Sequence, residues 1–155
     1  MRRIAVIDND PSSRQLISDA LGDTGTQIVF ATTGRSGRRL LTTGPFDLAL
    51  IKVVLPDASG IALAEIAANK NTPVLLMTGR ASATKRLEYF DCPCLPKPID
   101  LVRLHAETKK VMDESQQNIQ RVKESRARYF ASLTGFADAM ADARRSMDVS
   151  RQLVD

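Results

Sequence analysis

The sequence is poor in the residue types that most often carry catalysis or bind metals. It has no tryptophan, one histidine and two cysteines in 155 residues, and aromatic side chains make up 5%. Cys92, Cys94 and the lone His105 provide too few ligands for a tetrahedral zinc site. Two thiols beside a strand more often pack than react, so we interpret them as packing residues rather than as a disulfide or a redox switch. We expect neither a metal nor a cofactor.

Long apolar runs are also missing. None approaches the roughly 20 residues that cross a bilayer. The charged group Asp8-Asn9-Asp10 interrupts the apolar start of the chain before a signal peptide could form. We therefore expect a cytoplasmic protein without membrane contact. A hydrophobic fraction of 43%, a charged fraction of 26% and a net charge of +4 predict one globular core, with room for an appendage.

Short apolar strands alternate with helices over the first 113 residues. Asp10 and Pro11 are typical of a helix start, as cap and first helical residue. We predict strands at 3–7, 27–31, 47–53, 72–78 and 94–95 and helices beginning at Pro11, Thr33, Ile61 and Asp100, with a loop and short helix at 79–89. Strict alternation favours an α/β fold, because parallel strands need crossover connections. The expected fold is a doubly wound, five-stranded parallel sheet.

In such a sheet, functional residues gather beyond the carboxyl ends of the strands. Polar side chains stand at those ends in this chain: Asp8, Asn9 and Asp10, then Lys52, Thr78 and Lys97. Thr78 and Lys97 taken singly also suit strand ends of an unrelated doubly wound protein. Their order along the chain is more specific than either residue alone.

In that order, the segments IDNDP, IKVVLPDASG, LLMTG and LPKP resemble the receiver domain of two-component response regulators, over about residues 1–113. That family places an acidic pair, a phosphoacceptor aspartate, a Ser or Thr, and Lys-Pro after successive strands. The resemblance implies a flavodoxin-like fold, phosphorelay signal transduction, and protein partners such as a histidine kinase. It assigns the switch hydroxyl to Thr78 and the conserved lysine to Lys97.

Three positions depart from the family pattern. Asn9 stands for the second acid, Lys52 for the phosphoacceptor aspartate, and Cys94 for the aromatic switch residue. An ammonium neither coordinates magnesium nor forms an acyl phosphate. We therefore expect a degenerate pseudo-receiver that is not an enzyme and is not phosphorylated at the usual position. We expect Lys52 to pair with Asp8, with Asp10 as a further partner; the alternative is that its ammonium extends to solvent.

Residues 114–155 form a predicted helical tail with alternating three-four apolar spacing. The positions that we call the seam are Ile119, Val122, Tyr129, Leu133, Phe136, Met140 and Met147, and Arg126 and Ser150 interrupt the same spacing. Such spacing favours a coiled coil with a second copy of the chain, hence a homodimer. The alternative is a hairpin that bends at Thr134-Gly135 and packs on the receiver.

Two other functions stay open. A basic cluster in the tail, made of Arg121, Lys123, Arg126 and Arg128, suits a DNA-associated regulator, but nearby acidic residues dilute it and no helix-turn-helix or zinc pattern is present. We therefore favour salt-bridged coiled-coil flanks over nucleic acid. A receiver phosphorylated at Asp10 or Asp57 instead of position 52 is the other alternative. The basic segment 80–90 is either a solvated helix or an altered docking face.

Overall fold

The computed structural model describes residues 1–79 and 93–152, with side chains described as far as residue 148. The chain divides into two compact units, which we call the receiver unit, Met1–Ser115, and the tail unit, Gln116–Asp155. The loop and short helix predicted at 79–89 fall almost wholly outside the described residues, as do the basic side chains of the 80–90 segment and Cys92.

The receiver unit is built on one parallel sheet. Its strands are β1 (Arg2–Ile7), β2 (Thr26–Ala31), β3 (Leu48–Lys52), β4 (Val74–Thr78) and β5 (Cys94–Pro96), in the order β2-β1-β3-β4-β5. The helices are α1 (Pro11–Leu21), α2 (Gly34–Thr42), α3 (Gly60–Asn69) and α4 (Leu101–Gln152). This arrangement confirms the predicted flavodoxin-like fold with a C-terminal helical extension. Strands β3 and β4 are one or two residues shorter at their ends than the sequence suggests.

The register aligns the strand ends that carry the polar residues. Ile7 lies opposite Ile51 in the β1 and β3 ladder, so Asp8 and Lys52 come at the same level of neighbouring strands. These are the central neighbours at which the strand order reverses direction, where ligands bind in open α/β sheets. The fold therefore brings Asp8 and Lys52 to one crevice.

Both faces of the sheet are buried, which explains why its strands are continuous apolar runs. Alternate strand residues point to opposite faces. One face packs Ile7, Ile51 and Leu76 with Leu41 of α2 and Leu63 of α3. The other packs strand residues against α1 and the start of α4, through Val6, Leu50, Met77, Ile17 and Leu104.

The helices α1 to α4 all begin at side-chain caps; at the start of α4, Asp100 Oδ1 accepts the N–H of Arg103 at 3.1 Å. Asp10 accepts the backbone N–H of Ser12 at 3.1 Å at the start of α1, with Pro11 as the first helical residue, which confirms the predicted helix start. Thr33 and Ser36 form a reciprocal capping box on α2. Ser59 accepts the N–H of Ile61 at the start of α3. Each cap satisfies a donor that has no partner within the first helical turn.

The last helix runs without a break from Leu101 to Gln152. The alternative of a hairpin at Thr134-Gly135 is therefore wrong. A single glycine among helix formers costs a helix only about 1 kcal/mol, and Thr134 Oγ1 donates to the carbonyl of Phe130 one turn earlier. Every side chain from 116 to 148 is exposed. Within the described part of the chain, no helix is both long and apolar enough to cross a membrane.

Candidate functional site

A buried ion pair lies at the centre of the crevice. The Asp8 side chain is fully buried, and its Oδ2 accepts from Lys97 Nζ, which comes from the end of β5. Asp8 Oδ1 accepts the backbone N–H of Asp10 at 2.9 Å, and Lys97 Nζ also donates to Ser13 Oγ at 2.9 Å. A buried carboxylate needs an opposite charge and hydrogen bonds, and Asp8 has both.

Lys52 does not make the ion pair that the sequence suggested. Its Nζ donates to Oδ1 of Asn9 at 2.8 Å, and no salt bridge of Lys52 is found among the described residues. Lys97 is the counter-ion of Asp8 instead, and the other carboxylate oxygen accepts the N–H of Asp10. Lys52 is only half-buried, so an amide oxygen and solvent suffice for its ammonium. The predicted pairing of Lys52 with Asp8 or Asp10 is thus wrong in its partner.

Asp10 is committed to the start of α1. Its carboxylate accepts from the Ser12 hydroxyl at 2.7 Å and from the Ser13 hydroxyl at 2.8 Å, besides the Ser12 N–H. Hydrogen bonds from Ser12 first, and then from Ser13, lower the pKa of Asp10 to about 2. Ser13 links this cap to Lys97, a contact that sequence reasoning missed; its position in the first turn of α1 was the only signal.

Asp57 has a structural role that the sequence did not indicate. Its Oδ1 accepts the N–H of Gly34 at 2.7 Å and its Oδ2 accepts the N–H of Arg35 at 3.1 Å, so the carboxylate closes the N-terminus of α2 from the loop after β3. These bonds, that from Gly34 first, lower the pKa of Asp57. A Cβ on Gly34 would lie 2.3 Å from the Cβ of Ala58, so the approach requires glycine here.

Gly60 fixes the backbone next to Lys52. Its N–H donates to the carbonyl of Val53 at 2.7 Å, and a Cβ at this position would lie 2.0 Å from the carbonyl oxygen of Lys52. Only a residue without a side chain lets the loop return so close to the strand. The Leu-Pro-Asp-Ala-Ser-Gly segment, residues 55–60, therefore determines the backbone conformation around Lys52. This holds whatever side chain stands at position 52.

Thr78 and Cys94 occupy buried positions at neighbouring strands. Thr78, at the end of β4, is 3% exposed, and its carbonyl accepts the N–H of Lys97 at 2.8 Å. Cys94, at the start of β5, is buried within the core beside α2 and α3. Its burial agrees with the interpretation of a packing residue.

The site brings together one carboxylate, one amide and two ammonium groups, from Asp8, Asn9, Lys52 and Lys97. Magnesium prefers an octahedron of oxygen ligands that includes one or two carboxylates. Here the carboxylate is already paired, the amide oxygen is already used, and an ammonium donates no lone pair. Among the described residues, no group of three His, Cys, Asp or Glu could hold a metal ion. The residues present do not fit the magnesium site that the resemblance implies.

Comparison with known proteins places this geometry in a family. The family model described as the response regulator receiver domain matches residues 4–109. The chain therefore belongs to the response regulator receiver family. This receiver domain is a module of two-component signalling, which confirms the family suggested by the segments quoted above.

Relatives of known sequence are regulators. A probable transcriptional regulatory protein of Picosynechococcus is 28% identical over 160 residues, covering 96% of this chain and 63% of that protein. The response regulator protein PilR of Pseudomonas aeruginosa is 32% identical over 108 residues, which cover 66% of this chain and 24% of PilR. The chain thus spans less than two-thirds of the length of either relative.

Solved structures show the same fold. A CheY-like receiver domain from Methanospirillum hungatei superimposes with a TM-score of 0.68, covering 76% of this chain and 98% of that one, at 24% sequence identity. At that identity the similarity concerns the fold, which agrees with the strand order described above.

Proposed function

We propose that this receiver domain has lost phosphorylation at the usual position and acts in signalling through protein contacts. Lys52 stands where the family has its phosphoacceptor aspartate, and the bond from Lys52 Nζ to Asn9 Oδ1 is the observation that carries the proposal. A nucleophile for phosphoryl transfer needs a lone pair, and a protonated amine that donates to an amide has none. The proposed role is therefore non-catalytic.

The pairing of Lys97 with Asp8 supports the same proposal. In a functional receiver the resemblance assigns the lysine to the incoming phosphoryl group and the acid to magnesium. Here the two neutralise each other inside the protein, and Lys97 also donates to Ser13. Hydrogen bonds among its own side chains connect the residues of the crevice. We infer a fixed rather than a switched conformation.

The alternative phosphoacceptors are poorly placed for the reaction. Asp10 and Asp57 each accept two or more hydrogen bonds at helix starts, and both have lowered pKa values. Phosphorylation of either carboxylate would remove a cap from α1 or α2. These contacts favour a structural task for both residues over a substitute phosphorylation site.

Intact mass measurement after incubation with acetyl phosphate and magnesium tests the proposal. We expect no added phosphoryl group on the native chain. The matched variant carries Asn9→Asp and Lys52→Asp, which restores the carboxylates and leaves Asp10 and Asp57 unchanged. Phosphorylation of the variant alone would localise the loss to these two positions, whereas a phosphoryl group on the native chain would contradict the proposal.

We also propose that the tail helix joins two copies of the chain. Its seam side chains are exposed on the single chain, from 41% at Ile119 to 70% at Met147. In proteins most helical stability comes from the packing of an apolar face, so we expect the exposed apolar stripe of this long helix to have a packed partner. Light scattering coupled to size exclusion should give the mass of a dimer at micromolar concentration, and a monomer would contradict the proposal.

A DNA-associated function is the second candidate. The Picosynechococcus relative, which matches along 96% of this chain, is described as a probable transcriptional regulatory protein. The basic cluster at 121–128 is the feature of this chain that DNA would contact. Fluorescence anisotropy with duplex DNA decides the matter, because phosphate contacts weaken steeply as salt rises. Binding that falls roughly 10²-fold between 50 and 200 mM salt, as about four phosphate contacts predict, would support this function, and no binding at low salt would end it.

A further inference from the structure

The sheet of the receiver unit has an open edge at β2. In the described part of the chain, β2 has β1 as its one neighbouring strand, in a continuous parallel register from Thr26 to Ala31. Ala31 is buried, but the other five residues of β2 are partly or largely exposed, and Phe30 is 37% exposed. An edge strand of this kind can accept a further strand from another chain.

The hydrogen bonds to β1 show which main-chain groups of β2 point outward. The carbonyl of Ala31 accepts the N–H of Asp8 at 3.0 Å, and the carbonyl of Gly25 is bonded to β1 in the same way at the other end of the strand. Alternate residues of a parallel strand bond to the same neighbour, so the odd-numbered residues of β2 face β1. The N–H and C=O groups of Ile28 and Phe30 therefore point away from the sheet.

The features that usually keep a sheet edge from pairing are missing at β2. Residues 24–34, TGTQIVFATTG, contain no charged side chain and no proline, although 26% of the chain is charged. The register between β1 and β2 has no bulge. Charged residues, proline and bulges are the common means by which proteins protect such edges. We therefore expect this edge to be covered by another strand.

The sequence of β2 fits a second copy of itself in antiparallel orientation. When Val29 lies opposite Val29 of the second copy, Ile28 of each chain lies opposite Phe30 of the other. These opposed residues exchange N–H···O=C bonds in both directions, and the two-fold axis repeats the exchange, which gives four hydrogen bonds. Their side chains lie on one face of the sheet, where aromatic and β-branched residues stabilise each other across strands.

We propose that β2 pairs antiparallel with β2 of a second copy of this chain and joins two five-stranded sheets into one. The contact belongs to the receiver unit and does not depend on the tail dimer proposed above. Four main-chain bonds form a small contact, so we expect it to form and dissociate readily. Because the strands of the two sheets run in opposite directions, the two crevices open at opposite ends of the joined sheet.

A cysteine at position 29 tests the pairing in the full chain. In this register the two copies of residue 29 form a non-hydrogen-bonded pair with Cα atoms about 4.5 Å apart, within the range that a disulfide spans. We expect the chain with Val29→Cys and Cys92→Ser to form a disulfide-linked dimer in oxidised glutathione, measured by intact mass and peptide mapping. Absence of this link in the folded variant would overturn the proposal.

Gln27→Cys, also with Cys92→Ser, is the matched control. Gln27 is more exposed than Val29, so random collision would link it at least as readily. In the proposed register its two copies lie about 14 Å apart, at 3.4 Å per residue, which is too far for a disulfide. We expect little linked dimer from this variant. Equal or greater linking at position 27 would overturn the proposed pairing.

Hydrogen exchange at single-residue resolution tests the native chain without any substitution. At millimolar concentration the N–H groups of Ile28 and Phe30 should exchange roughly tenfold or more slowly than free amides, because each donates to the second copy. The N–H of Val29 faces β1 and is the internal reference for a protected amide. Exchange of Ile28 and Phe30 at the rate of free amides would overturn the proposal, even where Val29→Cys fails to fold.

Discussion

In the receiver unit, large side chains such as Ile51 and Leu50 are fully buried, and the charged Asp8 is buried with its partner. In the tail unit, every described side chain from 116 to 148 is exposed, including Tyr129 and Phe130, whose rings meet edge to face at 6.1 Å. The receiver unit thus buries its large apolar side chains, whereas the apolar face of the tail unit is exposed along residues 116–148.

This contrast indicates where each unit obtains its stability. The receiver unit buries apolar surface on both faces of its sheet and fills its crevice with internal hydrogen bonds. The tail unit has a helical backbone but little burial, so its stability depends on whatever covers the seam. Substitutions should therefore lower the stability of the receiver unit within one chain and the association of the tail between chains.

The largest expected difference is between the stability effects of substituting two glycines, one in each unit. Gly60→Ala should destabilise the receiver unit by about 3 kcal/mol or more, because the new Cβ meets the backbone of Lys52, which no rotamer change can relieve. Gly135→Ala is the matched control in the tail, where no atom lies within 4 Å of the added Cβ. It should stabilise the helix by about 1 kcal/mol.

Hydrogen exchange measured by mass spectrometry reads the two units separately. Gly60→Ala should speed exchange in peptides from β1, β3 and α3 and leave tail peptides unchanged, whereas Gly135→Ala should slow exchange in the tail. Equal effects of both substitutions on both units would contradict the claim that the two units obtain their stability separately.

The next largest difference is between the stability effects of substituting the two lysines of the crevice. Lys97→Met leaves the fully buried carboxylate of Asp8 without its counter-ion and should cost about 3 kcal/mol of unfolding free energy. Lys52→Met removes a half-exposed bond to an amide and should cost no more than about 1 kcal/mol. Urea unfolding followed by circular dichroism measures both. A larger loss at Lys52 would show that the structural roles of the two lysines are reversed.

The sequence predicts local features of this site well. Asp10 and Pro11 are adjacent to the helix that they start, so the cap depends only on neighbouring residues. The alternation of apolar strands and helices likewise follows from periodicity over short windows. For the same reason the parallel sheet and the position of Asp8 and Lys52 at one edge were predictable.

The pairing of charges within the crevice could not be predicted from the sequence. Lys97 reaches Asp8 across 89 residues of sequence, and Asp57 reaches the start of α2 across 23. Several pairings of these lysines and carboxylates are consistent with the same strand order. The burial of each group decides among them. The carboxylate of Asp8 is fully buried, so its partner must be the lysine whose ammonium can reach the interior. The sequence contains no direct measure of how deeply each side chain is buried.

The tail offers a test of smaller size. Phe136→Ser should raise the dissociation constant of the dimer about tenfold or more, which corresponds to 1.4 kcal/mol, because it replaces an exposed seam ring by a hydroxyl. Ala131→Ser, outside the seam, is the matched control and should leave the constant unchanged. Sedimentation equilibrium gives both values. Unfolding of the receiver unit should be the same in both variants, and a change there would contradict the separation of the two units.

The smallest effect concerns pH. Hydrogen bonds from Gly34 and then Arg35 hold the pKa of Asp57 below its ordinary value, so this carboxylate is more acidic in the folded state than in the unfolded one. Its contribution is therefore complete above the unfolded pKa of about 3.9 and is lost as pH falls through the folded value. Asp57→Asn keeps the shape and one acceptor but removes the charge.

The native chain should thus be more stable than Asp57→Asn at pH 7, and the difference should shrink as pH falls below about 4. Thermal unfolding of both proteins across pH 3–7 measures it. The contact is confined to the receiver unit, so exchange in tail peptides should not respond to the substitution. A difference that stays constant down to pH 3 would mean that the shape of the Asp57 side chain, and not its charge, holds the loop after β3 to the start of α2.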